Sequence, residues 1–113
     1  MRQNQNAAFS RGDENIISFS VLDVDGQAID MTGGSARWVL LRSPGATAIL
    51  DYETGGAEPI TLTEISDTWT VKVTLPDSGT SALFPRVYYQ ECYTTNSAGA
   101  TLKIASGYIT LHT

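Results

Sequence analysis

Two-residue alternation, broken at short intervals by glycine, proline and small polar residues, limits most strongly what this chain can fold into. Between Thr68 and Leu75, Trp69, Val71, Val73 and Leu75 alternate with Thr68, Thr70, Lys72 and Thr74. In an extended strand this spacing places all four apolar side chains on one side, whereas a helix would scatter them around its circumference. The same period recurs over about 15–22, where Ile17, Phe19 and Val21 share a face, and over 35–42, where Ala36, Trp38 and Leu40 do. Further strands are predicted over 48–53 (short, near an edge), 59–65, 86–95 and 101–111. In the sixth, Tyr88, Gln90 and Cys92 are expected to face inward, which leaves Glu91 in water.

The punctuation fits strands joined by turns. Asp23-Val-Asp-Gly26, Met31-Thr-Gly-Gly34, Ser43-Pro-Gly-Ala46, Ser66-Asp67 and Asn96-Ser-Ala-Gly99 each carry turn residues. Thr54-Gly-Gly-Ala-Glu-Pro59 reads as a loop. Between Pro76 and Pro85, Asp77 or Ser78 could cap one short helical turn, closed by Leu83 and Phe84 over an end of the fold. Gly107, inside the last strand, predicts a bulge or a close backbone approach. About seven short strands with no long helix predict an all-β fold: an immunoglobulin-like antiparallel β-sandwich, with a jelly roll or small barrel as the alternative. Trp38 and Trp69 are expected to lie in its core, facing each other across the two sheets.

At 113 residues the chain makes one domain. With one cysteine, Cys92, no intramolecular disulfide can form, so the core must hold the fold. Cys92 reads as a small buried hydrophobe. Residues 1–12 read as an N-terminal arm ahead of a sandwich over 13–113. The arm holds two of the seven bases and none of the twelve acids, so it is +2 and the remainder −7. That balance argues against nucleic acid as a partner, because such sites need a basic patch. The arm has one large apolar residue, Phe9. Arg2, Phe9 and Arg11 are therefore the candidate partner-binding residues: a plug with two cationic guides, ordered on a neighbouring subunit. The N-terminal Met-Arg-Gln-Asn-Gln-Asn predicts no signal peptide, and no apolar run reaches bilayer length.

The chemistry expected of this sequence is contact, not catalysis. The one histidine, His112, stands beside the last residue, with no evident carboxylate to orient it. One Cys and one His cannot supply a zinc site. No phosphate-binding loop is present; Gly33-Gly34 and Gly55-Gly56 lack its flanking pattern. Asp23, Asp25 and Asp30 surround a glycine turn and could hold calcium, although the EF-hand pattern is incomplete and Asp-Gly is itself a turn signal. No cofactor is expected. Tyr52, Tyr89, Tyr93 and Tyr108 are candidate surface aromatics for stacking on a sugar.

Several stretches also resemble a known family. Gly12-Asp13, Val24-Asp-Gly-Gln-Ala-Ile-Asp-Met-Thr-Gly33, Ala36-Arg-Trp-Val-Leu40, Val87-Tyr-Tyr-Gln-Glu91, Ser97-Ala-Gly99 and Gly107 resemble the small Ig-like virion domains of tailed bacteriophages. The likeness is to the N-terminal domain of phage baseplate upper proteins, and it spans residues 12–111. It implies a structural virion protein, made in the bacterial host cytoplasm and acting by protein–protein contact. The roles it suggests are capsid decoration or cement, or a head–tail or baseplate component. The expected partners are other phage structural proteins or further copies of the chain, with no membrane involved. The longer proteins carry a receptor-binding or trimerising region after this domain, so a host-receptor role is not expected of the present sequence. A carbohydrate-binding attachment module is the alternative function.

Overall fold

The structure, a computed structural model, describes residues 3–4, 6–23, 25–55, 59–76, 81 and 83–112. Its strands are β1 (Gln3–Asn4), β2 (Ala7–Ser10), β3 (Asn15–Ser20), β4 (Ser35–Leu41), β5 (Ala48–Glu53), β6 (Ile60–Ile65), β7 (Thr68–Leu75), β8 (Val87–Thr95) and β9 (Thr101–His112). The larger sheet runs β1-β9-β8-β4-β5, with β2 also paired to β9; the smaller runs β3-β7-β6. The chain changes sheet between β2 and β3, between β3 and β4, between β5 and β6 and between β7 and β8. This is the immunoglobulin-like order, with β3, β7 and β6 as B, E and D and β4, β8 and β9 as C, F and G. No helix occurs among the described residues. The expected helical turn at Asp77 or Ser78 falls outside them.

The core is the sum of the inward phases. Ile17, Phe19 and Val21 meet Val71, Val73 and Leu75 within the smaller sheet; Ala36, Trp38, Leu40, Tyr88 and Cys92 line the larger. Trp38 is completely buried, and its indole N–H donates to Gln90 Oε1 at 2.8 Å. A buried N–H left unpaired would cost about 1–3 kcal/mol, so Gln90 allows a tryptophan at this depth. Tyr88, at the start of β8, donates its hydroxyl to the Phe84 carbonyl at 2.7 Å. The bond ties the crossing from β7 to β8 down, as a tyrosine corner does.

Four expectations are corrected. Trp69 is only half buried, at the flank of the cluster, and does not form a central pair with Trp38; Tyr52 stacks on Trp38 instead, at 6.0 Å. The cause is position along the strand. Trp69 pairs with Glu64 one residue in from the hairpin end of β7, at the margin of the core cluster. Phe84 is 77% exposed and contributes its carbonyl, not its ring; of the two, Leu83 is the one packed against the core. The irregularity in β9 lies opposite Cys92/Tyr93, not at Gly107, which pairs regularly with Gln90. The extra residue there is Ile104, so Ile104 and Ala105 are both buried.

The fourth correction concerns residues 1–12. Ala7–Ser10 pairs in parallel with Ile109–His112 in the larger sheet. Phe9 is 4% exposed and belongs to the chain's own core. A lone large apolar side chain on a strand gains more by filling the adjacent hole than by staying in water, about 1.5–3 kcal/mol for full burial. With Gln3–Asn4 also paired in parallel to Ala105–Ser106, the segment is part of the sandwich, not a free arm.

The turn between β6 and β7 shows how closely local chemistry sets register. Ser66 and Asp67 have φ of 50° and 64°, and Ile65 pairs with Thr68. A two-residue loop with both φ positive matches the twist of the flanking strands, although neither residue is glycine.

Candidate binding face

The outward phase of the larger sheet collects the residues that the core excludes. From β5 come Asp51 and Glu53; from β4 come Ser35, Arg37, Val39 and Leu41. From β8 come Tyr89, Glu91, Tyr93 and Thr95; from β9 come Thr101, Lys103, Ser106 and Tyr108. Register sets Glu53, Arg37, Tyr93 and Lys103 in one row and Asp51, Val39, Glu91 and Ser106 in the next. Opposite charges therefore meet along and between rows, which favours the pairing.

Arg37 donates to both Asp51 oxygens, at 2.9 Å from Nε and 2.6 Å from Nη2, with Glu53 further off at 3.7 Å. This fork holds the Asp51 carboxyl below its ordinary range, chiefly through the hydrogen bond, and holds the Arg37 guanidinium protonated. Lys103 Nζ donates to Glu91 Oε2 at 2.6 Å, and the Tyr93 hydroxyl donates to Glu91 Oε1 at 2.8 Å. The Lys103 ammonium also lies 5.8 Å from the centre of the Tyr93 ring. Burial first, then the hydrogen bond and negative charge of Glu91, push the Tyr93 hydroxyl above its usual pKa, so it stays a donor.

Between these networks a groove of about 580 Å³ follows the outside of β4. Val39 and Leu41 are only 5% and 6% exposed, although they point away from the core. With Ala46 and Ala48 they line the groove's apolar part; Arg37, Glu53, Glu91 and Tyr93 line its charged part, and Thr95 and Thr101 add hydroxyls. A volume of this size lies within the range of ligand and peptide clefts. Beside the groove, Tyr89 and Tyr108 pack edge to face at 5.3 Å, with Tyr108 50% exposed.

The outward face of the smaller sheet differs. Its paired residues are Ser18, Ser20, Thr61, Thr63, Thr70 and Thr74, with Lys72 as the charge and Ile16 and Ile65 as exposed apolar residues. A hydroxyl lattice of this kind has little to set it apart from a solvated strand surface.

The three candidate partner-binding residues are not brought together as a patch. Phe9 is in the core. The Arg11 guanidinium donates to the Ser81 carbonyl at 2.8 and 3.1 Å. Arg2 lies outside the described residues. The aspartates proposed for calcium serve their turns. Asp23 Oδ1 accepts from the amides of Asp25 and Gln27, and Asp30 Oδ1 accepts from the amide and hydroxyl of Thr32. Thr32 in particular holds the Asp30 carboxyl below its ordinary pKa. Among the described residues no group of three or more His, Cys, Asp or Glu is placed to share a metal ion. Cys92 is fully buried, and burial pushes its thiol up to about 12, so it carries no thiolate at neutral pH. His112 is exposed at the end of β9, where its carbonyl accepts from the Arg11 amide at 2.8 Å.

The Arg37, Asp51, Glu91 and Lys103 network escapes a reading of single strands. Alternation gives each residue an outward phase, but the contacts require β5, β4, β8 and β9 to be neighbours in that order. No protein-family model matches the chain, and no curated protein is significantly similar to it.

Proposed function

We propose that this chain is a non-catalytic contact module: a structural protein of a tailed-phage particle, in a decoration, cement, head–tail or baseplate role. The phage context rests on the resemblance of its turn and strand sequences. The contact mode rests on the outward face of the larger sheet. One observation carries it: ion pairs and a tyrosine pair flank a groove of mixed apolar and charged lining on the larger sheet. Charges already held in place lose little conformational freedom when a partner covers them, so the face is preorganised for binding. The partner surface is another structural protein of the particle, and many modest contacts repeated over an array give firm attachment. The test is to incubate the purified chain with particles of the encoding phage assembled without it. Co-sedimentation at saturable stoichiometry supports the reading; a chain that stays in the supernatant overturns it.

A second reading, a carbohydrate-binding module, is favoured by Tyr89, Tyr93 and Tyr108 lying on one face, with Tyr108 half exposed. Sugar rings stack on exposed aromatic faces, and nearby carboxylates and hydroxyls can bind their OH groups. A panel of bacterial surface polysaccharides tests it. Binding that disappears in Tyr108→Ala supports this reading over the first.

A further inference from the structure

We propose that β2 is an exchangeable strand, traded between two copies of this chain, so that the β2 of each lies on the β9 of the other. The inference does not depend on the phage reading.

What β2 grips is self-contained, and β1 ahead of it travels with it, since β1 pairs in parallel with the same β9 through Gln3↔Ala105 and Asn4↔Ser106. β2 itself pairs with β9 alone within its sheet, in parallel, through Ala7↔Ile109, Ala8↔Thr110, Phe9↔Leu111 and Ser10↔His112. It inserts one large side chain, Phe9, with Ala7 partly buried beside it, while Ala8 and Ser10 are exposed. A second copy offers the same β9 edge and the same hole for Phe9, so the exchange keeps each of these contacts. Simple departure of β2 would empty the hole and bare the edge of a twelve-residue strand. The strand is therefore stable in the closed or the exchanged position, not in between.

The connection to β3 suits a hinge. Gly12, Asp13 and Glu14 are exposed, Gly12 has φ +82°, and nothing lies within 4 Å of where its Cβ would be. Two side chains clasp the bend: Asn15 accepts from the Ser10 amide at 3.1 Å and donates to the carbonyls of Ser10 at 3.0 Å and Asp13 at 2.9 Å, and Arg11 donates to the Ser81 carbonyl. Straightening these residues releases both clasps, and the one core side chain that must then move is Phe9.

Mass action decides which form prevails. A strand on so short a tether sees its own β9 at an effective concentration in the millimolar range. Dilute chains stay closed. Copies crowded to a similar local concentration exchange, as terminal elements with a releasable hinge do in swapped dimers.

The test mixes two single-cysteine-addition variants, Ala8→Cys and Thr110→Cys, under mild oxidation. Cys92 is buried and does not compete. A disulfide joining the two different chains requires the strand of one to lie on the β9 of the other. The expected result is a heterodimer on a non-reducing gel that is sparse at micromolar and abundant at millimolar concentration. Thr63→Cys on the other sheet, mixed with Ala8→Cys, should give none. Deleting Gly12 and Asp13 strains the closed form and should lower the concentration needed by on the order of tenfold. Absence of the heterodimer up to millimolar concentration, with the deletion variant folded by tryptophan fluorescence and monomeric, would overturn the proposal. Equal linking by the Thr63 control would overturn it as well, because collision would then explain the bands.

Discussion

The two sheets do different work with the same alternation. The smaller sheet is plain on both sides. Inside it contributes mainly aliphatic side chains and Phe19; outside it presents threonine and serine. The larger sheet places polar specificity on both sides. Inside it buries Gln90 against the Trp38 indole; outside it links Arg37 to Asp51 and Lys103 to Glu91. A sandwich needs an apolar layer from each sheet, but only one sheet has to carry recognition. The lesson is that the smaller sheet serves as the cover of a core whose other wall also carries ordered polar networks.

The tryptophans give the largest test of that difference. Trp38→Ala should cost about 3–5 kcal/mol in denaturant melts, because it empties the centre of the core. Trp69→Ala should cost about 1–2 kcal/mol, because the ring is only partly buried at the margin of the core and its buried N–H has no well-formed hydrogen bond to lose. Equal costs would break the comparison.

Alkali should then strike the larger sheet. The Cys92 thiol is raised from 9.0 to about 12 by burial. A raised pKa means that its stability contribution is whole below pH 9 and drains away as pH rises towards 12, at up to roughly 1.4 kcal/mol per unit. Tyr93, also raised, adds to the loss above pH 10. Measured against pH, Cys92→Ala should lack the thiol's share of the fall.

Replacing Gln90 with Leu should cost about 1–3 kcal/mol by orphaning the Trp38 N–H, with a shift in Trp38 fluorescence. In the smaller sheet the sign reverses at the hairpin. Asp67→Gly should raise stability by about 1 kcal/mol, since glycine holds φ of 64° without steric cost. A loss there would mean that the Asp67 side chain supports the turn.

Much of this was legible in the sequence. The strands over 48–53 and 68–75 match their expected ends, and the inward set Tyr88, Gln90 and Cys92 is the one observed, because a period of two admits few registers. What was hidden depends on partners far along the chain. The partial burial of Trp69 depends on its place near the hairpin end of β7 at the margin of the core, which alternation does not encode. Phe9 was readable as an anchor, but its hole is built by β9, about a hundred residues later. The ion-pair face needed strand order as well as phase.

The central claim is that the larger sheet's outward face makes the contact. It is tested most directly by carrying one charge change on each face into the particle co-sedimentation assay: Tyr108→Glu on the larger sheet and Lys72→Glu on the smaller. Both positions are exposed, so both variants should fold with wild-type melting behaviour. The account predicts that Tyr108→Glu weakens attachment at least tenfold, by removing one ring of the tyrosine pair and setting a negative charge beside Tyr89. Lys72→Glu should attach as the wild type does. Attachment lost in Lys72→Glu and kept in Tyr108→Glu would contradict the account.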